Sequence, residues 1–143
     1  MKVKIKQFDT SVSLPAYKTS GAAGMDLYAR AETIIEPRSV GYVPLNIALE
    51  VPEGYWVLLA ARSSTHKQGI MAANGIGIGD ADFNGDNDEY HFAAFNFTDE
   101  PVTIEKGQRI AQMIILPYEK VDFVPVDHLG NDDRGKFGST GTH

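Results

Sequence analysis

The sequence contains short polar segments whose residue types suit a phosphorylated ligand or a metal ion. Four aspartates and two asparagines lie within Asp80–Asp88, and Asp80 directly follows the glycine-alternating stretch Ile76–Gly79. Because glycines let a ligand approach the backbone closely, this arrangement predicts that Asp80 lies at the mouth of a ligand site. An ionised carboxylate at that place could bind a cation or accept a proton from water.

Asp80–Asp88 also matches the start of an EF-hand calcium loop, with oxygen-bearing side chains at positions one, three and five and Gly85 at position six. The match fails at position twelve, where His91 replaces the bidentate glutamate, and the preceding glycines cannot form the entering helix. We therefore expect an acidic β-hairpin turn at Asn84-Gly85 and the residues that follow. The histidines, at positions 66, 91, 128 and 143, show no metal-ligand spacing.

Two further segments could bind an anion. Arg62-Ser63-Ser64 precedes a short helix predicted at Ser64–Gly69, where a hydroxyl side chain could cap the first turn. An arginine, two hydroxyls and helix-start amides suit a phosphate, although a solvated turn has the same composition. Arg134–Gly141 places two cations, two hydroxyls and three glycines around Phe137, whose ring could stack on a base; a solubilising tail is the alternative.

Two polar residues stand alone in apolar surroundings. Asp26 lies in AGMDLYA, and Gln112 lies in IAQMIIL. A buried carboxylate or amide needs hydrogen-bond partners, so each residue is either a structural hub or part of a site. The sequence leaves both interpretations open.

The elements that must position these residues are predicted to be short β-strands. The runs of strand length, apolar or alternating, are Val3–Ile5, Trp56–Ala60, Tyr90–Phe97, Ile110–Leu116 and Val121–Val126. Breakers separate them, since the chain has 14 glycines and 7 prolines. This pattern predicts an all-β sandwich or jelly roll. After Asp127 the sequence is glycine-rich and aperiodic, which predicts a β domain over residues 1–127 and a mobile tail over residues 128–143.

Length and composition exclude several classes of protein. The 143 residues suit one domain, and 43% apolar with 22% charged residues is typical of a globular chain. Without cysteine, a disulfide framework, a thiolate zinc site and a cysteine nucleophile are excluded. The net charge of −6 argues against nucleic-acid binding. No apolar run is long enough for a membrane helix and the N-terminus lacks a signal-peptide core, so we expect a cytoplasmic location.

Together, the polar segments resemble in order and spacing the five motifs of the homotrimeric dUTPase family (deoxyuridine triphosphate nucleotidohydrolases). The matching segments are Ala23–Ala29, Arg62–Ser64 with Lys67–Ile70, Asn74 with Gly77–Gly85, Gly107–Met113, and Arg134–Gly141. The resemblance covers most of the chain and implies a distorted jelly roll that forms a homotrimer with shared active sites. It also implies Mg²⁺-dependent hydrolysis of dUTP to dUMP and pyrophosphate, which limits uracil incorporation into DNA and supplies dUMP for dTMP synthesis.

The resemblance further implies roles for individual residues. Asp80 aligns with the aspartate that activates water for attack on the α-phosphorus. Asp26 aligns with a residue that reaches the magnesium ion through water, while the triphosphate itself holds the ion. Asn74 and the backbone around Ile78 align with the hairpin that reads uracil. The implied substrate contacts are Arg62, Ser63, Ser64, Asn74, Gly77, Ile78, Phe83, His91, Gln112, Arg134, Lys136, Phe137, Gly138, Ser139 and Thr140.

The sequence departs from the family pattern at four places. Phe83 stands where a tyrosine is usual, and Gly79 replaces a β-branched residue directly before the expected catalytic aspartate. Asp86–Asp88 resembles an insertion. The fifth motif is shorter than usual, so Lys136 could share the role of Arg134.

Two other functions fit parts of the pattern. A related deoxycytidine triphosphate deaminase, alone or bifunctional, shares the Arg-Ser-Ser segment but needs a catalytic glutamate in place of Asp80, and none is evident. A dUTPase-like regulatory protein that binds a partner through Asp86–Asp88 is the alternative from another class. The products formed from a panel of deoxynucleotides would separate these functions.

Overall fold

A computed structural model describes residues 1–141; Thr142 and His143, the end of the predicted tail, lie outside the described residues. The strands are β1 (Lys4–Gln7), β2 (Met25–Tyr28), β3 (Thr33–Ile35), β4 (Val40–Pro44), β5 (Ile47–Glu50), β6 (Tyr55–Ala61), β7 (Ile70–Ala72), β8 (Gly77–Gly79), β9 (His91–Asn96), β10 (Val102–Ile104) and β11 (Arg109–Pro117). A 3₁₀ helix spans Thr65–Gln68. Across the described residues, no helix is long and apolar enough to cross a lipid bilayer.

The strands pair antiparallel in four sheets. Their orders are β2-β11-β6-β8, β4-β9-β7, β1-β5 and β10-β3. Many hydrogen-bonded neighbours are distant in the sequence, so connections repeatedly cross from one sheet to another. This is the connectivity of a jelly roll, and the predicted all-β, distorted jelly-roll fold is confirmed.

The core is built from strand residues whose side chains alternate between the interior and the surface. In β9, Phe92, Ala94 and Asn96 are buried and their neighbours are more exposed. The largest fully buried apolar side chains are Leu27, Ile35, Val43, Leu45, Ile47, Val57, Ile70, Ile104 and Ile110. Because they come from nearly every sheet, the core holds the sheets, and therefore the loops between them, in fixed relative positions.

The predicted strands are confirmed except at the C-terminal end. The last strand of the described chain ends at Pro117, and every residue from 119 to 141 is exposed. The strand predicted at Val121–Val126 is therefore wrong for this chain, and Phe123 is 90% exposed. An alternating segment forms a strand only where a sheet edge pairs with its backbone, and this segment lies against none. The domain boundary at residue 127 stays a prediction.

The predicted short helix is confirmed, but its predicted cap is wrong. The Ser64 side chain makes no capping hydrogen bond. Instead, the buried Thr65 hydroxyl accepts a hydrogen bond from the Arg62 amide at 2.9 Å and donates one to the Ile110 carbonyl at 3.2 Å. The hydroxyl thereby ties the end of β6 to β11.

The acidic segment after Asp80 forms tight turns, as predicted, but it is not a β-hairpin. The Phe83 amide donates to the Asp80 carbonyl at 3.1 Å, and the Gly85 amide donates to the Asp88 carboxylate at 2.7 Å. The segment leaves β8 at the edge of the four-stranded sheet and enters β9 at the centre of the three-stranded sheet. The flanking strands therefore cannot pair with each other.

Candidate active site

The structure places one group of predicted site residues around a cavity of about 350 Å³, the Asp80 cavity. Its walls include Asp80 and all the substrate contacts predicted between positions 74 and 91. The full lining is Leu59, Asn74, Gly77, Ile78, Gly79, Asp80, Phe83, Glu89, Tyr90 and His91. This volume suits a small-molecule group with a few polar contacts.

Asp80 also borders a wider groove of about 960 Å³. The charged residues of this groove are Lys2, Lys4, Lys120, Glu50, Glu53 and Asp82, and Trp56 supplies an aromatic wall. Side chains alternate along β8, so Ile78 and Asp80 point to one side and Gly79 to the other. Both Ile78 and Asp80 are exposed, whereas Gly79 is buried. The strand therefore presents the Asp80 carboxylate where the small cavity meets the open groove.

A second group, the arginine cluster, consists of Asp26, Arg62, Arg109 and Gln112. Arg62 Nε donates to Asp26 Oδ1 at 2.9 Å, and Arg109 Nη1 donates to Asp26 Oδ2 at 3.2 Å. The Asp26 side chain is only 15% exposed, against 24% for Arg62 and 46% for Arg109. One carboxylate thus neutralises one of two guanidinium charges and leaves a net positive site, which suits a phosphate.

Strand register brings the other members of this group together. Gln112 lies opposite Asp26 on β2 and opposite Ala60 on β6, and its amide nitrogen donates to the Ala61 carbonyl at 3.0 Å. A Cβ at Gly24 would lie 2.7 Å from Gln112 Oε1, so only glycine leaves the amide in this position. Ser63 is exposed and Ser64 half-buried at the same strand end. Asp26 is therefore the hydrogen-bond hub of the arginine cluster.

The sequence interpretation did not select Arg109 individually, although Arg109 lies inside the segment Gly107–Met113. Its signal was its place in this segment, directly before the apolar stretch Ile110–Leu116 that contains Gln112. A β-bulge between Arg109 and Ala111 interrupts the register with β2. The bulge changes the direction of the Arg109 side chain and brings it to Asp26.

The Asp80 cavity and the arginine cluster lie at opposite ends of β6. Gly79 is paired with Val57, whereas Arg62 follows the last residue of β6. Five residues separate Val57 from Arg62 along the strand, which corresponds to roughly 17 Å. One chain therefore does not bring Asp80 to the arginines.

Comparison with known proteins assigns the chain to a family. The family described as dUTPase matches residues 10–142. The chain belongs to the dUTPase family. The deoxyuridine 5'-triphosphate nucleotidohydrolases of Orientia tsutsugamushi (strain Boryong) and Hydrogenobaculum sp. (strain Y04AAS1) are 42% and 41% identical to it, with 99% of each chain covered.

Solved structures of dUTPases share the fold. A dUTPase from Streptococcus mutans is 28% identical, with a TM-score of 0.75 over 83% of this chain and 98% of that one. A Staphylococcus bacteriophage 80alpha dUTPase with dUPNHPP has a TM-score of 0.85 at 22% identity, over 99% of both chains. The second likeness supports the jelly-roll fold of the dUTPase chain over nearly its whole length.

Phe83 and Gly79, two of the residues that line the Asp80 cavity, both contact Tyr90. The rings of Phe83 and Tyr90 meet edge to face, with centroids 5.2 Å apart. Tyr90 also packs against Gly79, where an added Cβ would lie 2.5 Å from its hydroxyl oxygen. Burial, together with the Asp80 and Asp88 carboxylates, raises the pKa of Tyr90 to about 12. Tyr90 lies outside the motifs recognised in the sequence, because its contacts are with residues that are distant in the chain.

Two neighbours of Tyr90 also have defined partners. The Glu89 side chain, 8% exposed, accepts two hydrogen bonds from Arg30 at 2.7 and 3.0 Å and one from the Asn46 amide. His91 Nδ1 lies 2.9 Å from the Glu89 carbonyl oxygen and must donate to it, which leaves Nε2 free to accept. Glu89 is thus structural, while His91 lies at the exposed rim.

The predicted substrate contacts of the tail form a third group, away from both others. Arg134, Lys136, Gly138, Ser139 and Thr140 are all exposed, and Phe137 is 98% exposed. Lys136 Nζ lies 5.8 Å from the centre of the Phe137 ring. The structure therefore does not bring these residues to Asp80 or to the arginines.

Within the described residues, the oxygen ligands around Asp26 do not form a complete site for a magnesium ion. In residues 1–141 no group of three or more His, Asp or Glu side chains is arranged to hold a metal. Both Asp26 oxygens already accept an arginine hydrogen bond, and each keeps a lone pair for water. These residues suit an ion that arrives with phosphates and reaches Asp26 through water; they do not suit an all-protein site.

Proposed function

We propose that this protein hydrolyses dUTP to dUMP and pyrophosphate. The observation that carries the proposal is the gathering of Asp80, Asn74, Ile78 and Phe83 around one small cavity in a chain of the dUTPase family. The relatives at about 40% identity are named for this reaction. Removal of dUTP limits uracil incorporation into DNA, and the dUMP formed supplies dTMP synthesis.

In the proposed reaction, the Asp80 carboxylate accepts a proton from a water molecule. The water oxygen forms a bond to the α-phosphorus, and the bond from that phosphorus to the bridging oxygen of the β-phosphate breaks. Pyrophosphate then leaves with the bonding electrons. A positioned general base supplies roughly 10²- to 10⁴-fold of the rate, and charge neutralisation around the phosphates supplies much of the rest.

The proposed base site is the Asp80 cavity. The backbone of Gly77–Gly79, which lines the cavity, and the Asn74 side chain offer donors and acceptors to the uracil edge, and Phe83 offers a flat surface to the deoxyribose. A tight fit excludes the 5-methyl group of thymine, and hydrogen bonds to the carbonyl and imide edge reject cytosine. Gly77, His91 and the Ile78 backbone complete this set of contacts.

The proposed phosphate site is the arginine cluster. Arg62, Arg109 and the Ser63 and Ser64 hydroxyls donate to phosphate oxygens, and Gln112 donates from the neighbouring strand. Mg²⁺ carried by the triphosphate would offset part of its negative charge, and Asp26 would contact that ion through water. Arg134 and Lys136 of the tail bind the outer phosphates, while Phe137, Gly138, Ser139 and Thr140 close over the nucleotide.

We propose that the chain forms a homotrimer with shared active sites, as its resemblance to the homotrimeric family implies. The separation of about 17 Å along β6 supports sites that are shared between chains. The cavity of one chain and the arginine cluster of another must meet for Asp80 to reach the α-phosphorus. The wide groove beside Asp80 provides room for a neighbouring chain. The exposed apolar residues of Val121–Val126 provide a segment that a neighbouring sheet can cover.

Mixed assemblies test the shared site directly. Asp80→Asn chains and Arg62→Gln chains are each expected to be inactive alone. When the two are co-expressed, sites that combine an intact Asp80 with an intact Arg62 recover about a quarter of the parent activity if chains assemble at random. If co-expression restores no activity, the two groups do not act across chains.

The chemical role of Asp80 is tested with Asp80→Asn in the assembled protein. Because this substitution keeps the shape and removes the base, we expect unchanged binding of the non-hydrolysable analogue dUpNHpp and loss of turnover by at least about 100-fold. Asp82→Asn, one position past Ala81, is the matched control and should keep its turnover.

The proposed dependence on Mg²⁺ is tested with the parent protein. Chelation of divalent cations should stop turnover without lowering Tm.

Three outcomes would contradict parts of the proposal. Deamination of dCTP would favour the related deaminase. Tight nucleotide binding without any product, in the parent protein with Mg²⁺, would favour a regulatory protein that binds its partner through Asp86–Asp88. Residual activity of Asp80→Asn above about a tenth of the parent's would assign the proton transfer to another group.

A further inference from the structure

In the Asp80 cavity, the Tyr90 ring lies where a side chain at position 79 would otherwise be. A Cβ at position 79 would lie 2.5 Å from the Tyr90 hydroxyl oxygen and 2.7 Å from ring carbon Cε1. Real Cβ atoms do not approach other atoms this closely, so a side chain at position 79 requires the tyrosine to move. The tip of the tyrosine ring therefore stands where a β-branched side chain at position 79 would otherwise pack.

The Tyr90 backbone is held firmly on the opposite side of the cavity. Its amide donates to the Ile47 carbonyl, and its own carbonyl accepts from the Leu45 amide, both at 2.9 Å. The side chain is 6% exposed. Because these contacts fix the base of the ring to the core, the ring acts as a rigid support for what lies at its tip.

The ring supports both ends of the turn that carries Asp80. At one end it packs against Gly79, directly before Asp80, and at the other end its edge meets the Phe83 ring. The Phe83 amide donates to the Asp80 carbonyl, which closes the turn. Position 79 faces the interior. The Tyr90 ring therefore packs against the face of β8 opposite the one that carries the Asp80 carboxylate.

The Tyr90 hydroxyl makes no hydrogen bond within residues 1–141, although it is buried. A buried unpaired hydroxyl costs stability, and phenylalanine would fill the same space without that cost. The hydroxyl oxygen is also the atom nearest to the missing Cβ of Gly79. The hydroxyl therefore lowers stability, but it also makes the contact with the strand that presents Asp80.

We propose that Tyr90 is a positioning residue for Asp80: its ring and hydroxyl replace the side chain that Gly79 lacks and hold the backbone that presents the carboxylate. This inference rests on the proposed hydrolysis of dUTP. Displacement of a reacting group by about 1 Å can cost about 100-fold in rate, so a small gap beneath Gly79 has a measurable effect on kcat.

Tyr90→Phe separates a positioning role from a merely structural one. Removing the hydroxyl should raise Tm and, in the same protein, lower kcat about 3- to 10-fold, while KM for dUTP changes less than about twofold. A residue that only supports the fold would move Tm and kcat in the same direction. The kcat values are normalised to the number of dUpNHpp sites, so loss of folded protein does not count as loss of rate.

A double-mutant cycle tests whether Gly79 and Tyr90 act together. Gly79→Ala alone should lower kcat about 100-fold, and Gly79→Ala combined with Tyr90→Leu should recover at least about tenfold of that loss. Gly21→Ala, where nothing lies within 4 Å of the new Cβ, and Tyr42→Leu, at a tyrosine that is 67% exposed, are the matched controls. Both controls should keep the parent kcat.

The outcomes distinguish this inference from the proposed function. If the parent hydrolyses dUTP and Asp80→Asn does not, but Tyr90→Phe keeps the parent kcat or loses kcat and Tm together, the positioning role is wrong and the function stands. Additive effects of Gly79→Ala and Tyr90→Leu would also overturn it. A parent protein without activity on dUTP would overturn the proposed function and the inference with it.

Discussion

At the scale of single residues, Asp26 shows how an acidic chain can build a local basic site. The chain carries a net charge of −6, yet two guanidinium groups meet at one carboxylate that is 15% exposed. The carboxylate holds both arginines in fixed directions and neutralises only one of their charges. The proposed triphosphate substrate would therefore meet preorganised donors despite the unfavourable charge of the whole protein.

Tyr90 gives a pH-dependent prediction at the same scale. Its pKa in the folded chain is about 12, above the ordinary tyrosine value of about 10, because burial disfavours the phenolate. Below pH 10 both states keep the proton and stability is unaffected. As pH rises through 10, the unfolded chain loses its proton first, so stability should fall between pH 10 and 12.

The measurement is the free energy of unfolding in urea at pH 8, 10 and 11. Tyr90→Phe should flatten the alkaline decline, whereas Tyr42→Phe, at an exposed tyrosine, should leave it unchanged. Equal slopes for the parent and Tyr90→Phe would mean that the Tyr90 phenol is not held in its neutral form by burial.

At the scale of elements, the bulge in β11 decides which side chain joins the phosphate site. Regular pairing would point alternate residues of β11 to opposite faces, whereas the bulge between Arg109 and Ala111 redirects Arg109 to Asp26. The same strand places Gln112 opposite Asp26. One strand with one irregularity thus supplies two members of the arginine cluster.

Arg109→Gln tests this contribution. Loss of a charged donor to phosphate should weaken binding of dUpNHpp about tenfold, while Tm should change little because the ion pair is half exposed. Arg38→Gln, which breaks the exposed ion pair with Asp99, is the matched control. If the two variants bind the analogue equally well, Arg109 serves only as a partner of Asp26.

At the scale of the whole molecule, we expect the β domain to provide the stability of the protein and the tail to be needed for turnover. Deleting the chain after Asn131 removes residues that are exposed wherever the structure describes them, so Tm and the oligomeric state should remain unchanged. Binding of dUTP should weaken and turnover should nearly vanish, because Phe137 and the two cations are proposed to close over the nucleotide.

Calorimetry, sedimentation and steady-state kinetics on the truncated protein check this prediction. Phe137→Ala in the full chain is the narrower variant, since it keeps Arg134 and Lys136. If the truncated protein hydrolyses dUTP at the full-length rate, the tail is only a solubilising segment and has no role in turnover. Loss of the assembly on truncation would instead assign the tail a role in holding chains together.

Local order along the chain was enough to predict the strands and the types of site residue. Alternation of apolar side chains predicted β6, β9 and β11, and residues close together in the chain, from Asn74 to His91, line one cavity. The strand β8 and a tight turn bring the residues from Asn74 to Phe83 together, whereas Tyr90 and His91 lie at the start of β9 in another sheet.

The tertiary structure decided which distant groups meet. Arg109 reaches Asp26 only through a bulge, Tyr90 fills the space of Gly79 only because the three-stranded sheet packs beside β8, and Val121–Val126 remains unpaired because no sheet edge lies next to it. None of these contacts has a sequence period. They arise because packing and register place side chains from separate strands within a few ångströms, and those distances exist only after the chain has folded.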